Sequence, residues 1–206
     1  MRMHLKSCLA LTGIVALAGC EEFSLRIGDG VDDGLSPSSK LVVLEPDGSV
    51  PDEGFSRSGT NGSGGILRTV NGETSGFAYQ YGRVAGTNRF LGVAGVAPNT
   101  DPGDVPTAAL ATYDGEYQLT HIDNDTETKD GDITLDANFV SGTLTGQADG
   151  LEIDGTINGT TVSGNASYRG VTANMTGVIG DERAVTAFSG NTSREVLVGG
   201  VVAERR

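Results

Sequence analysis

ITLDANFVSGTLTGQADGLEIDGTING, residues 133–159, decides the fold. Ile133, Leu135, Ala137 and Phe139 alternate with Thr134, Asp136 and Asn138. Leu151, Ile153, Gly155 and Ile157 alternate in the same way with Glu152, Asp154 and Thr156. Successive side chains on a strand point to opposite faces, so this period of two marks strands with one side on a core and one in water. Asp149-Gly150 separates two runs and Asn158-Gly159 ends the stretch. Such pairs suit type I′ hairpin turns, where both central residues need positive φ.

The rhythm continues on both sides. Phe77, Tyr79 and Tyr81 alternate with Ala78 and Gln80, and Val171, Ala173 and Met175 with Thr172, Asn174 and Thr176. Asp114-Gly115, Asp130-Gly131 and Gly180-Asp181 read as further turns, with Tyr113 and Tyr117 bracketing the first. No helical pattern follows the N-terminal leader, so the domain is expected to be an all-β meander. The 32 glycines are too many for turns alone. Several fall inside strands, where glycine marks sharp bending, and an up-and-down barrel uses that bending to remove exposed edges. A membrane-spanning barrel would need an apolar outer band and aromatic girdles. Outward Asp, Asn and Thr, and no Trp, argue against one.

The first nineteen residues read as a secretory signal, with Arg2, His4 and Lys6 ahead of a short apolar run. That run is shorter than the ~20 residues a spanning helix needs. It ends in Leu17-Ala18-Gly19-Cys20, which resembles a bacterial lipobox, so Cys20 is expected to carry lipid, palmitate included. Cys8 is the only other cysteine and lies in the leader, which leaves no internal disulfide. Glu21 after the cysteine leans towards the outer membrane. Residues 20–65 are rich in Asp, Glu, Gly, Ser and Pro and read as a flexible acidic tether, with LVVLE as a short strand or docking piece. The domain is expected over 66–206.

The formal charge of −13 argues against nucleic acid, which needs clustered Lys and Arg. It serves solubility and permits a basic protein partner.

GVAGVAPNTDPGDVPTAALATYDGEY (92–117) resembles the entry segment of the β-barrel domain of transferrin-binding protein B-like lipoproteins. Pro106, Thr107, Ala111, Tyr113 and Gly115 match that pattern, and Ala109 replaces a usual glycine. ITLDANFVSGTLTG, GVIGDERAVTAFSG and VLVGGVVAERR resemble later segments, with Val178-Ile179 in place of aromatics. The resemblance implies an eight-stranded antiparallel up-and-down barrel with a few extra N-terminal strands, on a disordered tether. It implies an outer-membrane lipoprotein that binds a ligand or protein partner, in the manner of proteins serving iron or haem acquisition, with an outer-membrane translocator or receptor nearby. It transfers no ligand-binding residue.

The residues offer little chemistry. His121 is the single histidine outside the leader, and no GxSxG elbow supports a nucleophile, so no enzyme is expected. No cofactor is expected either. A haem site on His121, with Tyr113, Tyr117 or Tyr168 nearby, stays open as an alternative, as does a structural envelope lipoprotein with no soluble ligand. DNDTETKDGD (123–132) lacks the Gly and Glu of an EF-hand loop and reads as a solvated hairpin. Glu152 and Asp154 read as solvent-facing solubility residues.

Overall fold

In a computed structural model of the chain, the stretch 133–159 forms parts of three strands of a closed barrel. The structure describes residues 39–51, 57–84, 87 and 89–206; Cys20, the leader and the stretch to residue 38 lie outside the described residues. The strands in chain order are β1 (Lys40–Val43), β2 (Arg57–Val70), β3 (Glu73–Val84), β4 (Phe90–Val96), β5 (Leu110–Ile122) and β6 (Thr126–Asn138). They continue with β7 (Thr143–Ala148), β8 (Leu151–Asn158), β9 (Thr161–Tyr168), β10 (Val171–Ile179), β11 (Arg183–Asn191) and β12 (Val196–Arg205). No helix occurs among the described residues.

Strands β5 to β12 pair antiparallel in chain order, and β12 returns to pair with β5 from Val196↔Ile122 to Arg205↔Tyr113. The barrel expected from the alternation is therefore present, with eight strands. Asp149-Gly150 forms a type I′-like turn, with φ of 46° and 88°. Gly159 and Gly180 also lie at turns. Arg169-Gly170 makes another left-handed pair, at 47° and 85°, where no Asn or Asp announced it.

Two expected turns are corrected. Asp114-Gly115 lies inside β5 and Asp130-Gly131 inside β6, and the hairpin between these strands is at 123–125. The glycines answer to packing instead. A Cβ on Gly115 would strike the Val202 carbonyl and Ala203 across the β5–β12 pairing. A Cβ on Gly131 would sit 3.1 Å from the Tyr117 ring, which lies over that bare backbone. Pro106, one of the residues that match the family pattern, is buried in the loop before β5.

The other four strands form a separate sheet of order β1-β4-β3-β2, with β1 parallel to β4. LVVLE thus supplies strand β1, and β2 begins at Arg57, so both strands draw on the 20–65 stretch. This sheet lies against the outside of the barrel over β5, β11 and β12. Phe77, Tyr79, Tyr81 and Ala94 meet Ile122, Val185, Ala187, Val196, Val198 and Val202 in one buried cluster. The backbones come close because Gly92 faces Val198 and Gly200 faces the Phe77 ring. Polar ties add to the contact: within it Tyr79 Oη and Thr120 Oγ1 lie at 3.1 Å and Ser189 Oγ donates to the Gly92 carbonyl at 3.1 Å, and at its exposed margin Arg68 pairs with Glu204 at 2.8 Å. Elsewhere the barrel exterior is wet, as the alternation implied.

Candidate functional site

The barrel lumen is filled. Tyr113, Tyr117, Leu135, Leu144, Met175 and Phe188 are among the interior side chains, all nearly or fully buried. Interior glycines make room for them: a Cβ on Gly155 would press Met175 at 3.1 Å, and one on Gly199 would meet Phe188 at 2.7 Å. Interiors packed in this way leave no chamber for a carried molecule. The Tyr113 hydroxyl donates to the Gly180 carbonyl at 2.6 Å, and the Tyr117 hydroxyl donates to the Asp149 carboxylate at 3.3 Å. Burial raises the pKa of both phenols; the Asp149 carboxylate adds to this for Tyr117, while Arg205 partly opposes it for Tyr113.

At the barrel end that holds the 123–125 hairpin, His121 points inward and is 2% exposed. Its ring meets Tyr168 edge-on at 5.8 Å between centroids. Lys129 and Arg169 lie near the Tyr168 ring at 5.7 and 5.6 Å, close enough for cation–π attraction. Arg169 pairs with Glu127 at 2.9 Å. These side chains gather over His121, whose Nε2 is buried with no hydrogen-bond partner among the described residues. Asp123 in the hairpin accepts the Asp125 N–H at 2.9 Å, which lowers its pKa. No group of metal-ligating side chains occurs among the described residues.

The structure brings His121 together with Tyr168. Tyr113 instead lies at the opposite end of β5, about 26 Å from His121 at the usual ~3.3 Å rise per residue, and Tyr117 stands between them. His121, Tyr113 and Tyr117 line one strand rather than one site, and of the tyrosines weighed Tyr168 is the one that meets the His121 ring. The sequence weighed Glu127 only as part of a rejected calcium loop and did not single out Lys129 or Arg169; two cations beside one aromatic become visible only once the register is known.

The opposite end carries exposed apolar residues. Val105, Leu110 and Val140 are 55%, 66% and 82% exposed, with Phe139 half-buried beside them. The loop leading there is pinned to the barrel, since Asp104 N–H bonds Asp181 Oδ1 at 2.8 Å and Asp181 N–H bonds the Asp104 carbonyl at 2.8 Å.

A third feature runs along the outside. A groove of about 460 Å³ separates Arg68 on β2 from Asp114, Glu116, Asp132 and Thr134 on the barrel wall. A second, of about 440 Å³, adds Ile66, Gln118 and Asp130 and shares Glu116 and Asp132 with the first. Glu116 and Asp132 are directly opposed across β5 and β6, a like-charge arrangement that costs stability. Glu152 and Asp154 face solvent on β8, as expected.

No protein-family model matches the chain, and no curated protein matches it. Solved structures do show likeness. Intact Ap-TbpB, with N and C lobes, is 12% identical over 72% of this chain and 39% of that one, with a TM-score of 0.45. A TbpB double mutant from Haemophilus parasuis Hp5 is 12% identical over 73% and 38%, with a TM-score of 0.46. The apo haemoglobin receptor HpuA from Kingella denitrificans is 18% identical over 63% and 55%, with a TM-score of 0.40. The chain spans about two fifths of the TbpB structures and about half of HpuA. The TbpB structures belong to the family that the sequence motifs resemble.

Proposed function

We propose that this protein is a lipid-anchored outer-membrane lipoprotein whose barrel domain binds a protein partner with its outer surfaces, in the service of nutrient capture. The observation that carries the binding mode is the filled lumen: a barrel packed with Tyr117, Met175 and Phe188 offers its exterior and its ends, not an interior. The resemblance to transferrin-binding protein B-like lipoproteins supplies the class, and the lipobox at Cys20 supplies the anchor. The reading is of a binder rather than an enzyme.

Two measurements test it. A pull-down with the full chain should recover a defined partner, and protease treatment of intact cells should release the barrel. Complete protection from protease would remove the surface reading, and a partner that binds equally well to the unfolded chain would remove the binding reading. Palmitate labelling should vanish in Cys20→Ser; labelling that persists refutes the anchor.

A second reading, a haem carrier on His121, is favoured by the unpartnered Nε2 and opposed by the side chains that cover it. Haemin titration should give a Soret shift removed by His121→Ala if that reading holds. Absence of a shift discards it.

A further inference from the structure

The outer edge of β2 presents backbone groups that have no strand partner among the described residues. Among the described residues β2 is the last strand of its sheet, and only one of its two sides is paired. The turn at Asn71-Gly72, with φ of 53° and 86°, fixes the parity of the hairpin. Val70 and Glu73 close it, so alternate residues from Val70 back to Gly62 bond β3, and Ser63, Gly65, Leu67 and Thr69 turn their backbone groups outwards. The Gly65 N–H confirms the parity, because it reaches away from β3 to Gln118 Oε1 at 2.6 Å. Among the described residues, the other three outward positions have no backbone partner.

The edge overhangs the groove. Opposite it, Glu116, Asp130 and Asp132 form no ion pair among the described residues, whereas nearby Asp114 and Glu204 are matched by Arg206 and Arg68. A strand added to β2 would extend the sheet over this wall. Stacked sheets lie ~10 Å apart, a gap that Lys and Arg side chains can cross. Because side chains alternate, every second residue of the added strand would face the three carboxylates.

We propose that the β2 edge and the acidic wall of β5 and β6 form a docking groove for an extended, basic segment of a partner protein. The segment pairs with Ser63–Thr69 and sets alternate Lys or Arg residues over Glu116, Asp130 and Asp132. Strand addition of this kind draws affinity from the backbone and selectivity from alternate side chains. Charge chooses among occupants. The chain's own 20–38 stretch carries Glu21, Glu22, Asp29, Asp32 and Asp33 against Arg26, and a second copy carries −13, so both are repelled. The proposal rests on the protein-binding reading above and names the kind of segment bound.

The test uses the full chain and a labelled alternating Lys–Thr peptide long enough to run beside Ser63–Thr69, followed by fluorescence anisotropy. The peptide should bind, and the matching Glu–Thr peptide should not. Combining Glu116→Gln, Asp130→Asn and Asp132→Asn should weaken binding about tenfold, the summed effect expected of exposed ion pairs. A Lys–Thr peptide N-methylated at every residue keeps its charge but has no backbone N–H to donate from either edge, and it should not bind. Hydrogen exchange should slow at the Leu67 and Thr69 amides when the unmodified peptide is present. Absence of binding, equal binding of the methylated peptide, or binding without slowed exchange overturns the groove. If the pull-down then still yields a partner, indifferent to the triple variant, protein capture survives and only this groove falls.

Discussion

Strand β8 and strand β12 belong to one barrel and are written differently. β8 alternates strictly between buried and exposed from Leu151 to Asn158. β12 is buried at every position from Val196 to Ala203. The inward residues of the two are alike, Ile153 and Ile157 on one and Leu197 and Val201 on the other. The difference lies outside, where β8 shows Glu152 and Asp154 to water and β12 turns Val198 and Val202 under the second sheet. A continuous apolar run such as VLVGGVVA therefore reports a strand covered on both faces, and alternation reports one covered face.

Substitutions probe that contrast, starting with the largest expected effect. Phe77→Ala empties the contact over Gly200 and should cost about 3–5 kcal/mol, read by urea unfolding. A loss below ~1 kcal/mol would mean that the second sheet barely supports the barrel. Val198→Thr places a hydroxyl without a partner under that sheet and should cost about 1–3 kcal/mol. Thr145→Val, the reverse change on the bare wall, should fall within about 0.5 kcal/mol of the parent. If these two shifts match in size, the distinction between covered and bare wall is wrong. The smallest effect is alkaline. Burial raises the phenol pKa values of Tyr79, Tyr113 and Tyr117 above the ordinary 10.0. Their neutral forms are favoured in the fold, so this contribution is complete below about pH 10 and fades as pH climbs through the raised values. The urea midpoint should fall in that range, and ultraviolet titration of the folded chain should show phenols ionising late.

The barrel was legible because β6, β8 and β10 each have one wet face, which writes the period of two into the sequence. The turn at Asp149-Gly150 was legible for the same local reason. Asp114-Gly115 and Asp130-Gly131 have the same composition and are not turns, because their glycines answer to Val202 and Tyr117, neighbours that are distant in the chain or lie across the strand pair. Misplacing them hid the opposed Glu116 and Asp132, and with them the groove. His121 was visible as a lone histidine, but its burial depends on the mouth residues that converge only when β5, β6 and β9 share a ring. Tyr113 and Tyr117 were named with His121 as candidates for one ligand site; their spacing along one strand separates the first from His121.

The second sheet sits over the seam where β12 meets β5 and the ring closes. It therefore works as a clasp. An open curl of β5 to β11 has two raw edges, and β12 must arrive before they disappear. Once it has, Phe77, Tyr79 and Tyr81 lie across the junction, and the ring cannot unzip there until the clasp lifts. The one line of the barrel that pairs its first strand with its last, across the longest separation in the chain, is in this protein the line held under a second layer.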